Sequence, residues 1–200
     1  MTGQYDKAFK IYENLEIIYG VNEQITLNKI KLLKEQKKAK EVESELLKLS
    51  ATNPSETRYY SYLADFYIEI NTLEKARAMY DKILLIEPNN PVVNLALHDY
   101  YSAQGKNDEA FEFLKKAFIN ADLEVKTKSG IVNSFYTRSL ELNDPKIKAQ
   151  GLELSKLFLS VHPTSSESNF LYADFLVLNK NIKEAVNYYF LSTRYDQRNY

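Results

Sequence analysis

Small residues that follow a polar stretch and precede an apolar helix stand at Ala8, Val42, Ala76, Ala110, Gly151 and Ala185, at intervals of 34, 34, 34, 41 and 34. A fixed period of this length means that one two-helix unit is reused, and that no copy buries its apolar faces alone. Four positions further on stand Tyr12, Leu46, Tyr80, Leu114, Ser155 and Tyr189, and seven further on Leu15, Leu49, Ile83, Ala117, Phe158 and Ser192. Offsets of four and seven share one helical face, so each set belongs to a buried stripe. Twelve further on stand Gly20, Pro54, Pro88, Asp122, Pro163 and Gln197. Proline has no amide proton and clashes with the preceding turn, so the helix must stop there.

Upstream of each small residue lies a second helical pattern. Its matching face carries Ile30 and Leu33, then Ala64 and Tyr67, then His98 and Tyr101, and finally Ala173 and Leu176. The clearest copy, TRYYSYLADFYIEINTLEKARAMYDKILLIEPNN at 57–90, resembles the tetratricopeptide repeat, a helix–turn–helix unit of 34 residues. Ala64 and Ala76 occupy the two positions where that family needs small side chains. Tyr60, Leu63, Tyr67, Tyr80 and Pro88 fill other signature positions, with Tyr60 where Trp is frequent.

The resemblance implies an all-α fold, a right-handed superhelical α-solenoid of stacked antiparallel helix pairs over residues 1–200. Residues 1–22 read as the second helix of a partial repeat, and complete repeats are expected at 23–56, 57–90, 91–124, 125–165 and 166–199. The fourth is seven residues longer, and its insertion is expected around LNDPKIKAQ, where Asp144–Pro145 interrupts one helix before Lys146 starts the next. Both ends keep apolar residues without a polar capping helix. The chain is therefore expected to be a segment of a longer array, or to pair with itself through an exposed end repeat.

In this family the first helices of the repeats line a concave groove. Transferred by register, its lining is Gln24, Leu27, Lys31, Lys34 and Glu35 in the first complete repeat, and Arg58, Ser61, Asp65, Ile68 and Glu69 in the second. The third offers Val92, Leu95, Asp99, Ser102 and Ala103. The fourth offers Lys126, Ser129, Asn133, Tyr136 and Thr137, and the last Glu167, Phe170, Asp174, Val177 and Leu178. Position nine is Asp in three copies, within LADFY, LHDYY and YADFL. Such a lining attracts a basic or amide-rich segment and repels an acidic one. The plainer role of these Asp residues is to face solvent or pair with Lys or Arg on an adjacent helix. One subclass of the family grips a C-terminal carboxylate with groove Lys, Asn and Arg. Here Asp stands where Asn is required and the repeats at 57 and 91 lack the lysines, so a cochaperone for such tails is not expected.

Composition narrows the function classes. A net charge of -1 disfavours a general nucleic-acid binder, and no partner of that kind is expected. The basic run KIKLLKEQKKAK at 29–40 reads as a solvated helix face and turn. Zero cysteines remove disulfides and thiolate metal sites, and no cofactor or metal is expected. No apolar run reaches membrane-spanning length, and MTGQYDKAFKIYENL has charges where a signal peptide needs its apolar core. His98 replaces the usual small residue and is expected to splay its pair or reach a polar neighbour. His162, before Pro163, reads as a cation suited to a helix C-terminus. KSG at 128–130 lacks a phosphate-loop context, and there is neither a nucleophile elbow nor an HExxH. The expectation is a non-enzymatic scaffold that binds a protein or peptide in its groove. The alternative is a structural spacer that associates through its end faces.

Overall fold

The computed structural model describes residues 2–196, with the side chains of 2–4 and the expected helix-stop position Gln197 outside that range. Eleven helices follow one another among the described residues: α1 (Thr2–Tyr19), α2 (Glu23–Glu35), α3 (Ala39–Thr52), α4 (Thr57–Glu69), α5 (Leu73–Ile86), α6 (Pro91–Ala103), α7 (Asn107–Phe118), α8 (Val125–Leu142), α9 (Pro145–Val161), α10 (Ser166–Leu178) and α11 (Ile182–Tyr195). The expected all-α fold of antiparallel helix pairs is found. Two compact bodies divide at Pro88 and Asn89. The first holds α1 with the pairs α2/α3 and α4/α5, and the second holds α6/α7, α8/α9 and α10/α11.

The same local chemistry closes each pair. In four of them the middle residue of a three-residue turn is left-handed: Lys37 (φ 57°), Asn71 (φ 55°), Gly105 (φ 73°) and Lys180 (φ 63°). The amide after it donates back to a carbonyl five residues earlier: Lys38 to Leu33, Thr72 to Tyr67, Lys106 to Tyr101 and Asn181 to Leu176. This is the Schellman closure, which satisfies carbonyls that the helix end leaves open. Helix starts use side-chain caps: Asn22 Oδ1 accepts from Ile25 N at 3.1 Å, Asn90 Oδ1 from Val93 N at 3.1 Å, and Asp144 Oδ1 from Lys146 N at 2.7 Å.

The small-residue column is buried as the period requires: Val42, Ala76, Ala110, Gly151 and Ala185 all lie inside, opposite Ala64 and Ala173 at 0% exposure. Position four of each complete repeat is also buried and carries a hydrogen-bonding side chain: Thr26, Tyr60, Asn94, Lys128 and Asn169. Four of these reach the loop before their own helix, among them Asn94, whose Nδ2 donates to Asn90 O. Tyr60 Oη donates to Pro54 O, Lys128 Nζ to Asn120 O and Asn169 Nδ2 to Pro163 O. Carbonyls of those loops thereby find donors.

The fourth pair departs from the others. α8 has 18 residues against 13 in the other first helices, and α9 has 17 against 14 in α3, α5 and α11. Its turn shrinks to Asn143, left-handed at φ 47°, and Asp144. All the added length sits at the turn end of the pair. α9 begins at Pro145, not at Lys146 as expected, because proline fits the first helical position, where the missing N–H has no partner to lose.

Two sequence expectations are corrected by burial. Lys29, assigned to a solvated face, is 2% exposed and pairs with Glu16 and Glu45, each at 2.6 Å. The rest of that run, Lys31, Lys34, Lys37, Lys38 and Lys40, is exposed as expected. His162 is not a cation at a helix end. Its Nε2 lies 3.0 Å from the ammonium of fully buried Lys128, and burial together with that charge lowers its pKa. Burial likewise pushes the Lys128 ammonium down to about 8, so neutral imidazole serves as an acceptor for it.

Candidate binding cleft

The candidate site grows from the first helices of the second body. α8 and α10 are placed side by side by Phe135, Val132, Leu171 and Phe175, all inside one core cluster. Residues one face round from that cluster are left at the surface. Ser129 and Asn133 of α8, Glu167 and Phe170 of α10, and Ser192, Thr193 and Asp196 at the end of α11 together enclose a cleft of about 590 Å³. Phe170 is 49% exposed, and its ring meets that of Tyr189 at 5.6 Å and 60°. No lysine or arginine lines the cleft, whereas Glu167 and Asp196 do. Such a space suits an apolar or cationic side chain: the ring face carries negative charge density and the rim carries carboxylates.

The structure brings four of the register-predicted groove residues together in this cleft: Ser129, Asn133, Glu167 and Phe170. Ser192, Thr193 and Asp196 were not anticipated. The signal was present, because Ser192 stands in a column otherwise filled by Leu49, Ile83, Ala117 and Phe158. Ser192 Oγ lies 3.1 Å from Ser166 Oγ, closing the cleft floor between α10 and α11.

The three position-nine carboxylates have different surroundings. Asp174 accepts from Tyr189 Oη at 2.6 Å. Burial pushes the Asp174 carboxyl up, and the tyrosine hydroxyl only partly offsets this. Burial and the facing carboxylate together raise the Tyr189 hydroxyl. Tyr136, 5.7 Å from Phe175 edge to face, is raised by burial and by the Asp174 charge. Asp65 faces Tyr80 in the same sense, and that hydroxyl is raised by burial first and by Asp65 second. In the third repeat the corresponding partner is the apolar Leu114, and Asp99 is exposed with no hydrogen bond or ion pair. Asp174 alone is hydrogen-bonded to a tyrosine of its own repeat, and Asp65 and Asp99 are exposed.

Elsewhere the predicted lining is partly spent on internal pairs. Lys34 bonds Glu69, and Arg58 meets Glu23 at 3.2 Å. Lys31, Asp65 and Ile68 are exposed within the first body, and Val177 within the second; Leu95 is half-buried against the core cluster. Ser102 lies in a different cavity, beside His98. His98 Nδ1 sits 3.0 Å from Ala110 O, so the polar neighbour it reaches is a backbone carbonyl. Among the described residues no group of His, Cys, Asp and Glu could hold a metal ion, and no helix is long and apolar enough to cross a membrane.

No protein-family model matches the chain. Over 93 residues it is 36% identical to cellulose synthase operon protein C of Pseudomonas fluorescens (strain SBW25), a match that spans 46% of this chain and 7% of that protein. Among solved structures it resembles YrrB, described as a TPR protein with an unusual peptide-binding site, with a TM-score of 0.51 at 12% identity over 92% of each chain. It also aligns with PilF of Pseudomonas aeruginosa, with a TM-score of 0.45 at 20% identity over 96% of this chain and 78% of that one.

Proposed function

We propose that this chain, which has the tetratricopeptide-repeat fold, is a protein-interaction module whose second body takes a basic, partly apolar peptide segment in the cleft around Phe170. The observation that carries this reading is the cleft itself: about 590 Å³, an exposed aromatic ring, two carboxylates and no cation on its walls. Phe170 supplies the apolar anchor and the Asn133 amide offers hydrogen bonds to a peptide backbone, while the Ser129 and Thr193 hydroxyls, which donate to carbonyls of their own helices, can only accept. Asp99, on α6 of the same body and outside that cleft, is an exposed carboxylate that would attract the same basic partner.

Selection of random peptides on the immobilised protein is the direct test. Enriched sequences are expected to carry Lys or Arg beside an apolar residue. Phe170→Ala should weaken a selected peptide by about tenfold or more, as truncation of a buried anchor does. Asp99→Ala should weaken it less and mainly reduce its salt dependence. Absence of a basic consensus, or binding indifferent to Phe170→Ala, would sink the reading.

A second reading, a spacer that assembles through an end face, is favoured by one observation. Ile182, Val186 and Phe190 form a stripe along α11 and are 53%, 59% and 66% exposed. If that face pairs, sedimentation should show a dimer at roughly 100 μM, in the micromolar-to-millimolar range of weak association, and Val186→Asp should abolish it. A wild-type monomer at that concentration removes this reading.

A further inference from the structure

The added length of the fourth repeat has a product. Compared with the other pairs, the extra residues are those from Arg138 to the end of α8 and from Pro145 to Ile147 at the start of α9. Arg138, Lys146 and Ile147 all line one cavity of about 520 Å³, together with Asp144 of the turn between them. The facing wall comes from the third repeat: His98, Ser102, Asn107 and Phe111. Without the insertion the cavity would lack one side.

Its charges are largely spent internally, with one exception. Lys146 pairs with Asp108 at 2.5 Å. Asp144 caps α9 through the 2.7 Å bond to Lys146 N. Arg138 has no carboxylate or hydrogen-bond partner among the described residues; its guanidinium lies 5.8 Å from the ring centroid of Phe135. A guanidinium laid over a ring keeps its in-plane N–H groups free, and their fork matches a carboxylate.

The rest of the lining is rich in free donors. Ser129, Ser139, Ser155 and Ser160 bond back to carbonyls of their own helices. The hydroxyls of Ser102 and Ser134 and the amides of Asn107 and Gln150, all in this cavity, make no such bond to any described residue. Beneath them lie Phe111, Phe135 and Ile147, each less than a tenth exposed.

We propose that the extended fourth repeat builds a binding site for a monoanionic carboxylate on an apolar stem, held by Arg138 with its stem on Phe111, Phe135 and Ile147. Arg138 supplies the one guanidinium of the lining, a bidentate partner for a single carboxylate, and the apolar floor favours an organic acid over inorganic phosphate. The acid is either a free small molecule or an acidic side chain of a polypeptide. The site is separate from the Phe170 cleft and does not depend on it.

The test titrates the whole chain, observed by backbone amide NMR, with four probes: N-acetyl-phenylalanine, N-acetyl-phenylalaninamide, the capped peptide Ac-Ala-Leu-Glu-Leu-Ala-NH2 and inorganic phosphate. At least one of the two acids should give saturable shifts around 135–138 and 145–147. Tighter binding of the peptide assigns the acid to a polypeptide, and tighter binding of N-acetyl-phenylalanine to a free small molecule. N-acetyl-phenylalaninamide should bind about tenfold or more weakly than N-acetyl-phenylalanine, and Arg138→Gln should cost the acids a similar factor, the scale of a charge-assisted bond. Ser134→Leu, which fills the cavity and keeps Arg138, should block both acids. Phe170→Ala should change nothing here. The proposal is overturned if neither acid saturates by about 10 mM, a limit far weaker than ordinary specific binding. It is equally overturned if phosphate binds as tightly as the acids, or if Arg138→Gln binds them unchanged.

Discussion

Lys29→Ala should lower the stability of the first body by about 3–5 kcal/mol, the usual consequence of removing one partner from a buried ion pair. Lys29 is 2% exposed between Glu16 of α1 and Glu45 of α3, at 2.6 Å from each, with the Phe9 ring centroid 5.2 Å away. Glu16 also pairs with Lys48. Removing Lys29 leaves the Glu45 carboxylate, whose Oε2 is already buried without a partner, facing Glu16 across a void. The effect should appear as faster hydrogen exchange of α2 and α3 amides, because stability in a repeat array is local. Lys29→Met combined with Glu16→Gln and Glu45→Gln should recover most of the loss, because no unpaired charge then remains buried. A single Lys29→Ala variant with wild-type protection would show that the pair contributes nothing.

The same cluster sets an acid limit. Burial alone would raise the Glu16 carboxyl, but hydrogen bonds from Lys29 and Lys48 outweigh it and hold the group below its ordinary 4.5. A carboxylate with a depressed folded pKa contributes fully above its unfolded value. That contribution disappears as pH falls through the depressed one.

Gly151→Leu should destabilise the second body by about 3 kcal/mol, at the upper end for overpacking a filled core. A Cβ on Gly151 would stand 2.2 Å from Phe175 Cζ and 2.3 Å from its Cε1, with Phe135 Cβ at 3.2 Å. Phe175 is fully buried among Phe111, Phe135 and Phe158, so its ring has nowhere to withdraw. Gly151→Ala should cost less, because alanine returns up to ~1 kcal/mol of helix propensity. The decisive measurement is a double-mutant cycle. Phe175→Leu shortens the ring side chain, so Gly151→Ala with Phe175→Leu should be less destabilising than the sum of the two. Strict additivity would mean that Gly151 and Phe175 do not compete for the same space.

The Gly151 contact explains why the fold was readable. Close helix approach demands a small residue at a fixed place in each unit, and that demand leaves a column of Ala, Val and Gly every repeat. The register carried over from the family resemblance, not the spacing itself, named Ser129, Asn133, Glu167 and Phe170, four residues that line one cleft. What the sequence concealed depends on partners from other helices. Lys29 looked like one cation in a basic run because Glu16 and Glu45 approach it from helices on either side. His162 looked cationic because Lys128, 34 residues earlier on the first helix of the same extended repeat, is brought against it only by the folding of that pair. The cavity beside Arg138 was hidden for a related reason: an insertion can be counted in a sequence, but which wall it supplies cannot.

The position of those extra residues also bears on how such a chain can change over time. Five residues on α8 lengthen the hairpin by roughly 7 Å at 1.5 Å per residue, and all of it projects past the tip. The base of the pair, where Lys128, His162 and Ser168 bind neighbouring loops, keeps the spacing of the other units. Growth at hairpin tips therefore leaves the contacts at the base in place, while the added residues make contacts of their own with the preceding unit, Lys146 with Asp108 and Ile147 in one cluster with Phe111. An array built this way can gain a cavity wall in one module without shifting the small-residue column that sets the spacing of the others.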